Sequence, residues 1–306
     1  MKNLFEYKGN DLQINKDAHD GDLAALKRYL TIIDNCEFKS SFPPFKFQQV
    51  DGLTVIDESA ACPVGAKARF GEFFFTQIEE DEIVYVQPRQ GFAGISLAWL
   101  CKKYDKKLTL IMPSSKEASS HQRLCIELGA TPKFVRIAAM PNANLIAQKY
   151  ARFHNAKYVP LGLQHRDVIA GAVSCIHENF RDREHPKKLW CVISTGVLCR
   201  ALQIALPETE IHAVAVARNI RQGELGRAKF YSYHKTFSAK SDVVPEEFDC
   251  EPSYDSKGWD YASKFADEGD YFFSVAGKAP ETSVQPENVD SQRDWGDFRD
   301  LPELKL

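Results

Sequence analysis

Residues 82–115 read EIVYVQPRQGFAGISLAWLCKKYDKKLTLIMPSS. "EIVYV" is an apolar, β-branched run, and Pro88 and Gly91 end it. "GISLAWLCKKY" then carries apolar residues at helical spacing, and "LTLIMP" is a second β run. A strand, a glycine-bearing loop, a helix and a strand form the crossover that joins parallel strands. The alternation extends both ways from this unit. Upstream, "LTVIDES" reads as a short strand and "GAKARFGEFFFTQI" as a helix. Downstream come helix "SSHQRLCIELG", strand "PKFVRI" and helix "NANLIAQKYARFH". After "KYVPLG" follow helix "VIAGAVSCIHENFRD", strand "LWCVIS", helix "VLCRALQIALP" and strand "EIHAVAVA". Near the start, "DLAALKRYLTII" reads as a helix, and "SFPPFKF" is extended because each proline biases its predecessor away from helix. Apolar strands without polar alternation predict parallel-rich sheets covered on both faces.

The composition, 44% hydrophobic and 26% charged over 306 residues, is that of a globular protein large enough for two lobes. A net charge of −3 argues against a polyanionic partner on bulk electrostatics alone. The amino terminus lacks a signal-peptide pattern and no apolar run is long enough to span a membrane, so a soluble, cytoplasmic protein is expected. The eight cysteines form no CxxC and no Cys/His cluster with zinc spacing, so no metal is expected. Most lie in apolar surroundings such as "LWCVIS", where a thiol acts as a small hydrophobe. Cys62 is the one beside a candidate site.

Three segments carry candidate chemistry. In "LWCVISTGVLCRALQIALP", a strand and a short polar turn feed a helix, which presents backbone N–H groups to a phosphate. Ser194 and Thr195 add hydroxyls, and Gly196 permits close approach. The bland alternative is an ordinary βα turn with a cap. In the opening stretch, Gly91 and Gly94 suit a ligand at the carboxyl edge of a parallel sheet, or mark a plain connection. Lys67, in "CPVGAKARFGEFFF" (62–75), either snorkels to solvent or is held inward. An inward lysine of depressed pKa is an amine nucleophile toward aldehydes.

The order of these features resembles the tryptophan-synthase-β-like enzymes, pyridoxal-phosphate (PLP) fold type II, near their aminocyclopropane-carboxylate-deaminase-like and cysteine-synthase-like branches. The resemblance runs from about residue 43 to 216. "WLCKKYDKKLTLIMPSSKEASSHQRLCIELGATPKFV" is its most specific part, and a weaker echo lies at "YFFSVAGKAP". It implies an α/β, two-lobed, three-layer αβα fold. A large PLP-binding domain would comprise 1–80 and 160–306, a small α/β domain 81–159, and an acidic arm 281–306. The family's Gly-Asn-Lys-x-Arg-like segment, whose lysine binds the cofactor aldehyde, stands here as Gly65-Ala66-Lys67-Ala68-Arg69. Its substrate loop matches Gln90, Gly91, Phe92, Ala93 and Gly94, with Phe92 replacing a polar residue. Its phosphate loop matches Ser194, Thr195, Gly196 and Val197. Ser274 is the candidate for the pyridine nitrogen, where a hydroxyl leaves that nitrogen largely unprotonated.

The resemblance implies a PLP-dependent lyase acting at the α-carbon of an amino-acid-type substrate, and a homodimer. Loss of the polar grip at Phe92 brings decarboxylation into view. "PSYDSKGWDYA" is similar to phage members that act on amino acids attached to thymidine in DNA, which would place the protein in a host cytoplasm. Residues 218–240, with six Lys/Arg against one Glu and interleaved aromatics, would suit a DNA backbone. They read equally as a solvated loop and surface helix. The alternatives are β-elimination or deamination of a free amino acid, and a non-catalytic PLP- or nucleotide-binding module. A nicotinamide-type oxidoreductase is disfavoured because no GxGxxG follows a strand.

Overall fold

Strands that are apolar on both sides need helices on both faces of their sheet. A computed structural model describes residues 5–8, 11–14, 38–114, 117–135, 140–217 and 225–285. From the amino terminus come β1 (Phe5–Lys8), β2 (Asp11–Ile14), β3 (Lys46–Val50), β4 (Leu53–Asp57), α1 (Glu58–Ala61) and α2 (Ala66–Thr76). The middle holds β5 (Glu82–Val86), α3 (Ala93–Lys103), β6 (Lys107–Pro113), α4 (Ser120–Glu127), β7 (Thr131–Val135), α5 (Met140–His154) and β8 (Lys157–Val159). Then follow α6 (Arg166–Phe180), β9 (Lys188–Ile193), α7 (Val197–Ala205), β10 (Glu210–Ala215), β11 (Lys229–Ser232), α8 (Asp255–Phe265) and β12 (Tyr271–Ser274). The helix read at "DLAALKRYLTII" and most of the 281–306 arm lie outside the described residues.

The chain divides into two compact units, Met1–Phe74 with Gln164–Lys278, and Phe75–Leu163 with Ala279–Leu306. The first contains a six-stranded sheet of order β11-β10-β9-β12-β4-β3, in which only β3 runs antiparallel to its neighbour. The second contains the parallel sheet β7-β6-β5-β8. Both are parallel-rich, as the strand composition demands.

In the first unit one sheet face packs Trp190, Val192, Val214 and Phe272 against Trp259 of α8 and Phe248. The opposite face turns Cys191 toward Cys199 of α7. Each fully buried large apolar side chain contributes about 1.5–3 kcal/mol. In the second unit Val84, Val86 and Ile111 pack against Ala143, Ala147 and Tyr150 of α5. Register levels the carboxyl ends of the parallel strands. Ser274 lies opposite Asp57, Phe273 opposite Cys191, and Ala215 opposite Ile193.

For residues 218–240 the sequence offered a DNA-facing stretch or a solvated loop with a surface helix, and among the described residues the structure shows a strand instead of the helix. Lys229–Ser232 form β11, paired in parallel with β10. Alternation of Phe230, Tyr231 and Ser232 between sheet faces outweighs the local charge.

α2 is oriented by a buried ion pair. Arg69 Nε donates to Glu58 Oε2 at 3.1 Å, and Nη2 lies 2.8 Å from Oε1. Arg69 Nη1 donates to Pro43 O at 2.7 Å, and the guanidinium sits 5.0 Å from the centre of the Phe45 ring. Phe70, Phe74 and Phe75 are also buried. Residues two apart on a helix project roughly 200° apart, so fixing Arg69 toward Glu58 turns Lys67 the other way. Burial pushes Glu58 up to about 7 against the pull of Arg69.

Arg69→Met strips Glu58 of its partner and is expected to cost about 3–5 kcal/mol in urea unfolding at neutral pH. The raised Glu58 carboxyl stabilises most in its protonated form, and that stability is lost as pH rises through its folded pKa. The deficit should therefore shrink as the pH is lowered toward the ordinary carboxylate range.

Candidate active site

The site is built on the carboxyl edge of the six-stranded sheet. β4 ends at Asp57, whose Oδ1 accepts from Ala60 N and caps α1. The chain turns through Cys62–Gly65, with Gly65 N donating to Cys62 O at 2.8 Å. Ala66 N then donates to Val275 O at 2.9 Å, which fixes the start of α2 beside the end of β12. Cys62 is buried, its thiol donates to Gly65 O at 3.2 Å, and burial pushes its pKa up. It closes a turn and is a poor nucleophile.

Lys67 is the second residue of α2. Its surroundings lower its pKa by desolvation, and the charge of Asp255 opposes that shift. The side chain keeps some contact with solvent, so it is enclosed but reachable. A neutral amine is thus available at lower pH than for a surface lysine.

β9 leads through Ser194 and Thr195 to Gly196, which caps α7. Gly196 has φ +81°, and a Cβ there would lie 2.6 Å from Leu225 Cδ2, so both backbone and space require glycine. The first capping bond of α7 runs from Arg200 N to Gly196 O. The N–H groups of the first turn have no acceptor within the helix. Arg200 Nη1 donates to Thr195 O at 2.7 Å and brings positive charge to the turn. Helix end, guanidinium and hydroxyls suit an anion such as phosphate.

At the end of β12, Ser274 Oγ is buried beside the Cys250 thiol and meets no oxygen or nitrogen partner among the described residues. Asp255, the first residue of α8, is fully buried as well. Its Oδ2 accepts from Ala276 N at 3.2 Å, while its Oδ1 has no partner among the described residues. Burial raises the Asp255 carboxyl to about 8, against its bonds to the 275–276 backbone. Sequence reading missed Asp255. An acid in a helix's first turn is what the helix dipole alone would select.

Of the sequence candidates, the structure places Lys67, Ser194, Thr195, Gly196, Val197 and Ser274 in the first unit, on elements that leave one sheet edge. Gln90, Gly91, Phe92, Ala93 and Gly94 belong to the second unit. That loop is organised by Gln87, a buried residue the sequence did not single out. Gln87 Nε2 donates to Pro88 O and Gly91 O, each at 3.0 Å, and Oε1 accepts from Gly94 N at 2.9 Å. A Cβ on Gly94 would fall 2.2 Å from that Oε1. Phe92 precedes α3 with no side-chain cap, and its ring stands edge-on to His121 at 5.5 Å. Among the described residues no cluster of His, Cys, Asp or Glu is arranged to hold a metal ion.

No protein-family model and no curated protein sequence matches the chain. Solved structures do. An ACC deaminase homologue superposes with TM-score 0.68 at 15% identity, over 86% of this chain and 98% of its own. Threonine deaminase isoform 2 from Solanum lycopersicum gives 0.66 at 12% identity, over 94% and 98%. A pyridoxal 5'-phosphate-dependent aspartate racemase gives 0.60 at 13% identity, over 86% and 96%. The chain has the fold of these enzymes. The α/β, parallel-rich fold read from the sequence is therefore the observed one, and the likeness spans nearly the whole length of each neighbour.

Gly196→Ala forces an alanine into the left-handed region and against Leu225. It is expected to lower unfolding stability by about 1–2 kcal/mol. It should also abolish any thermal stabilisation that added inorganic phosphate gives the unaltered protein, read by thermal shift with and without phosphate.

Proposed function

We propose that the protein binds pyridoxal phosphate through Lys67 and acts as a lyase at the α-carbon of an amino-acid-type substrate. The observation that carries this is the set of polar groups gathered on one sheet edge. An amine of lowered pKa, a buried hydroxyl, a carboxylate oxygen without a partner among the described residues and a helix N-terminus match the aldehyde, ring and phosphate of that cofactor. When bound, the cofactor would supply an electron sink for the bond broken at the α-carbon.

The residues divide the remaining work. Lys67 would hold the aldehyde through its nitrogen, and its amine would be the base that moves the α-carbon proton. Ser194, Thr195 and the N–H groups of Gly196 and Val197 hold the phosphate against the α7 dipole. Gln90, Gly91, Phe92, Ala93 and Gly94 receive the substrate, in a loop whose shape Gln87 fixes.

The finer reading is decarboxylation of an amino acid carried on a modified thymidine in phage DNA. Phe92 supports it, because an aromatic edge offers a substrate carboxylate no donor and favours its departure as carbon dioxide. The DNA contact through 218–240 has less support. Lys229 pairs with Glu210, and Arg227 donates to the carbonyls of Gln203, Leu206 and Thr209. Deamination or β-elimination of a free amino acid keeps the same roles for Lys67 and the phosphate turn. A homodimer is part of the proposal.

Protein mixed with pyridoxal phosphate should show a visible absorbance band that Lys67→Ala removes. Absence of the band in the unaltered protein refutes the reading. Incubation with amino acids and aminoacylated nucleosides, followed by mass spectrometry, separates loss of carbon dioxide from formation of a keto product.

A further inference from the structure

A buried carboxyl is costly unless a cation or several donors meet it. Backbone donors at 275–276 meet Asp255, Ala276 N among them at 3.2 Å, and its Oδ1 is enclosed with no hydrogen-bond partner among the described residues. Charged and titratable groups reach it from every side. Lys67 comes from α2, Glu251 from the segment before α8, Cys191 from β9, and Cys250 and Tyr254 from its own approach. Of these only Lys67 is a cation, and no hydrogen bond joins it to Asp255 among the described residues. Moreover, Lys67 is the nitrogen that the proposed cofactor would consume. With Lys67 engaged, a cationic or proton-accepting group of the ligand would complete Asp255.

The position says which part of the ligand. Ala276 N, which Asp255 holds, lies two residues beyond Ser274, whose buried hydroxyl has only the Cys250 thiol beside it. Val275 O, between them, is bonded to Ala66 beside Lys67. Asp255 and Ser274 therefore form one polar cluster at the end of β12.

We propose that Asp255 is the partner of the cofactor's ring nitrogen and holds that nitrogen protonated, with Ser274 as a neighbouring hydroxyl. This rests on the reading of Lys67 as the cofactor lysine. It replaces the expectation that Ser274 alone meets the nitrogen and leaves it unprotonated. A hydroxyl can hydrogen-bond to a neutral pyridine but supplies no countercharge. The raised Asp255 carboxyl carries a proton near neutrality in the unloaded protein. On binding, its O–H bond breaks, a ring N–H bond forms, and the carboxylate faces the pyridinium. A protonated ring is the stronger electron sink, which suits reactions that leave full negative charge at the α-carbon.

The test uses the full chain loaded with pyridoxal phosphate isotopically labelled at the ring nitrogen, read by NMR, together with binding of the deaza analogue, in which C–H replaces that nitrogen. The protein should show a protonated nitrogen and prefer the natural cofactor about tenfold or more, as a charge-assisted hydrogen bond implies. Asp255→Asn should leave the nitrogen unprotonated and bring the two affinities together, whereas Ser274→Ala should keep it protonated. An unprotonated nitrogen in the unaltered protein overturns the inference, whether or not the Asp255 variant folds. So does an unchanged nitrogen in a folded Asp255→Asn protein. Failure to take up pyridoxal phosphate at all overturns the reading of Lys67 as well, so the two failures are distinguishable.

Discussion

The hydrogen bond from Ala66 N to Val275 O, 2.9 Å long, is the joint on which the site depends. It ties the first turn of α2 to the residue that follows β12, from opposite sides of the stretch of chain that forms the second unit's sheet. Parallel pairing makes the joint possible. Because β4, β12 and β9 run in the same direction and in level register, their carboxyl ends deliver Asp57, Ser274 and Ser194 to one edge. Open α/β sheets place ligands at such an edge because strands end there and helix N-termini begin. In this chain the edge gathers an amine, a hydroxyl, a carboxyl and an anion-seeking turn.

Buried charge gives that edge its directions. Arg69 and Glu58 neutralise each other inside the first unit, and the pair turns α2 so that Lys67 cannot share its side of the helix. Such a pair adds little net stability over an apolar isostere, yet breaking it is severe. Its contribution here is orientation. Asp255 is a different case, since Lys67 acts on it through charge and no hydrogen bond joins the two among the described residues. Burial raises its pKa to about 8, and desolvation lowers that of Lys67 against the charge of Asp255. Lys257 shows how the same helix treats a charge that is only structural. Its Nζ donates to Thr236 O and Phe237 O, holding a loop down with both bonds satisfied.

Local pattern made much of this legible. The strand-helix alternation from "LTVIDES" onward, the Lys67 helix with its buried Phe70, Phe74 and Phe75, and the Ser194–Val197 turn all follow from periodicity, turn residues and glycine. Gln87 was hidden because a glutamine closing an apolar strand carries no periodic signal. Its three bonds to Pro88, Gly91 and Gly94 exist only once the loop has folded back on it. β11 was hidden because four residues in a basic stretch look solvated until β10 offers them a ladder. Asp255 was hidden in plain view, since an acid opening a helix satisfies the helix dipole whether it faces solvent or a buried site.

By itself the sequence determined the class of fold and the order of its crossovers, because these depend on neighbours a few residues apart. Tertiary structure alone decided which polar groups are buried, which are bonded and which are left bare. Those properties arise where distant segments close on one another. Ser274 and Asp255 become a pair of unsatisfied groups only when β12 slots between β4 and β9 and α8 covers its end. No spacing along the chain encodes that enclosure.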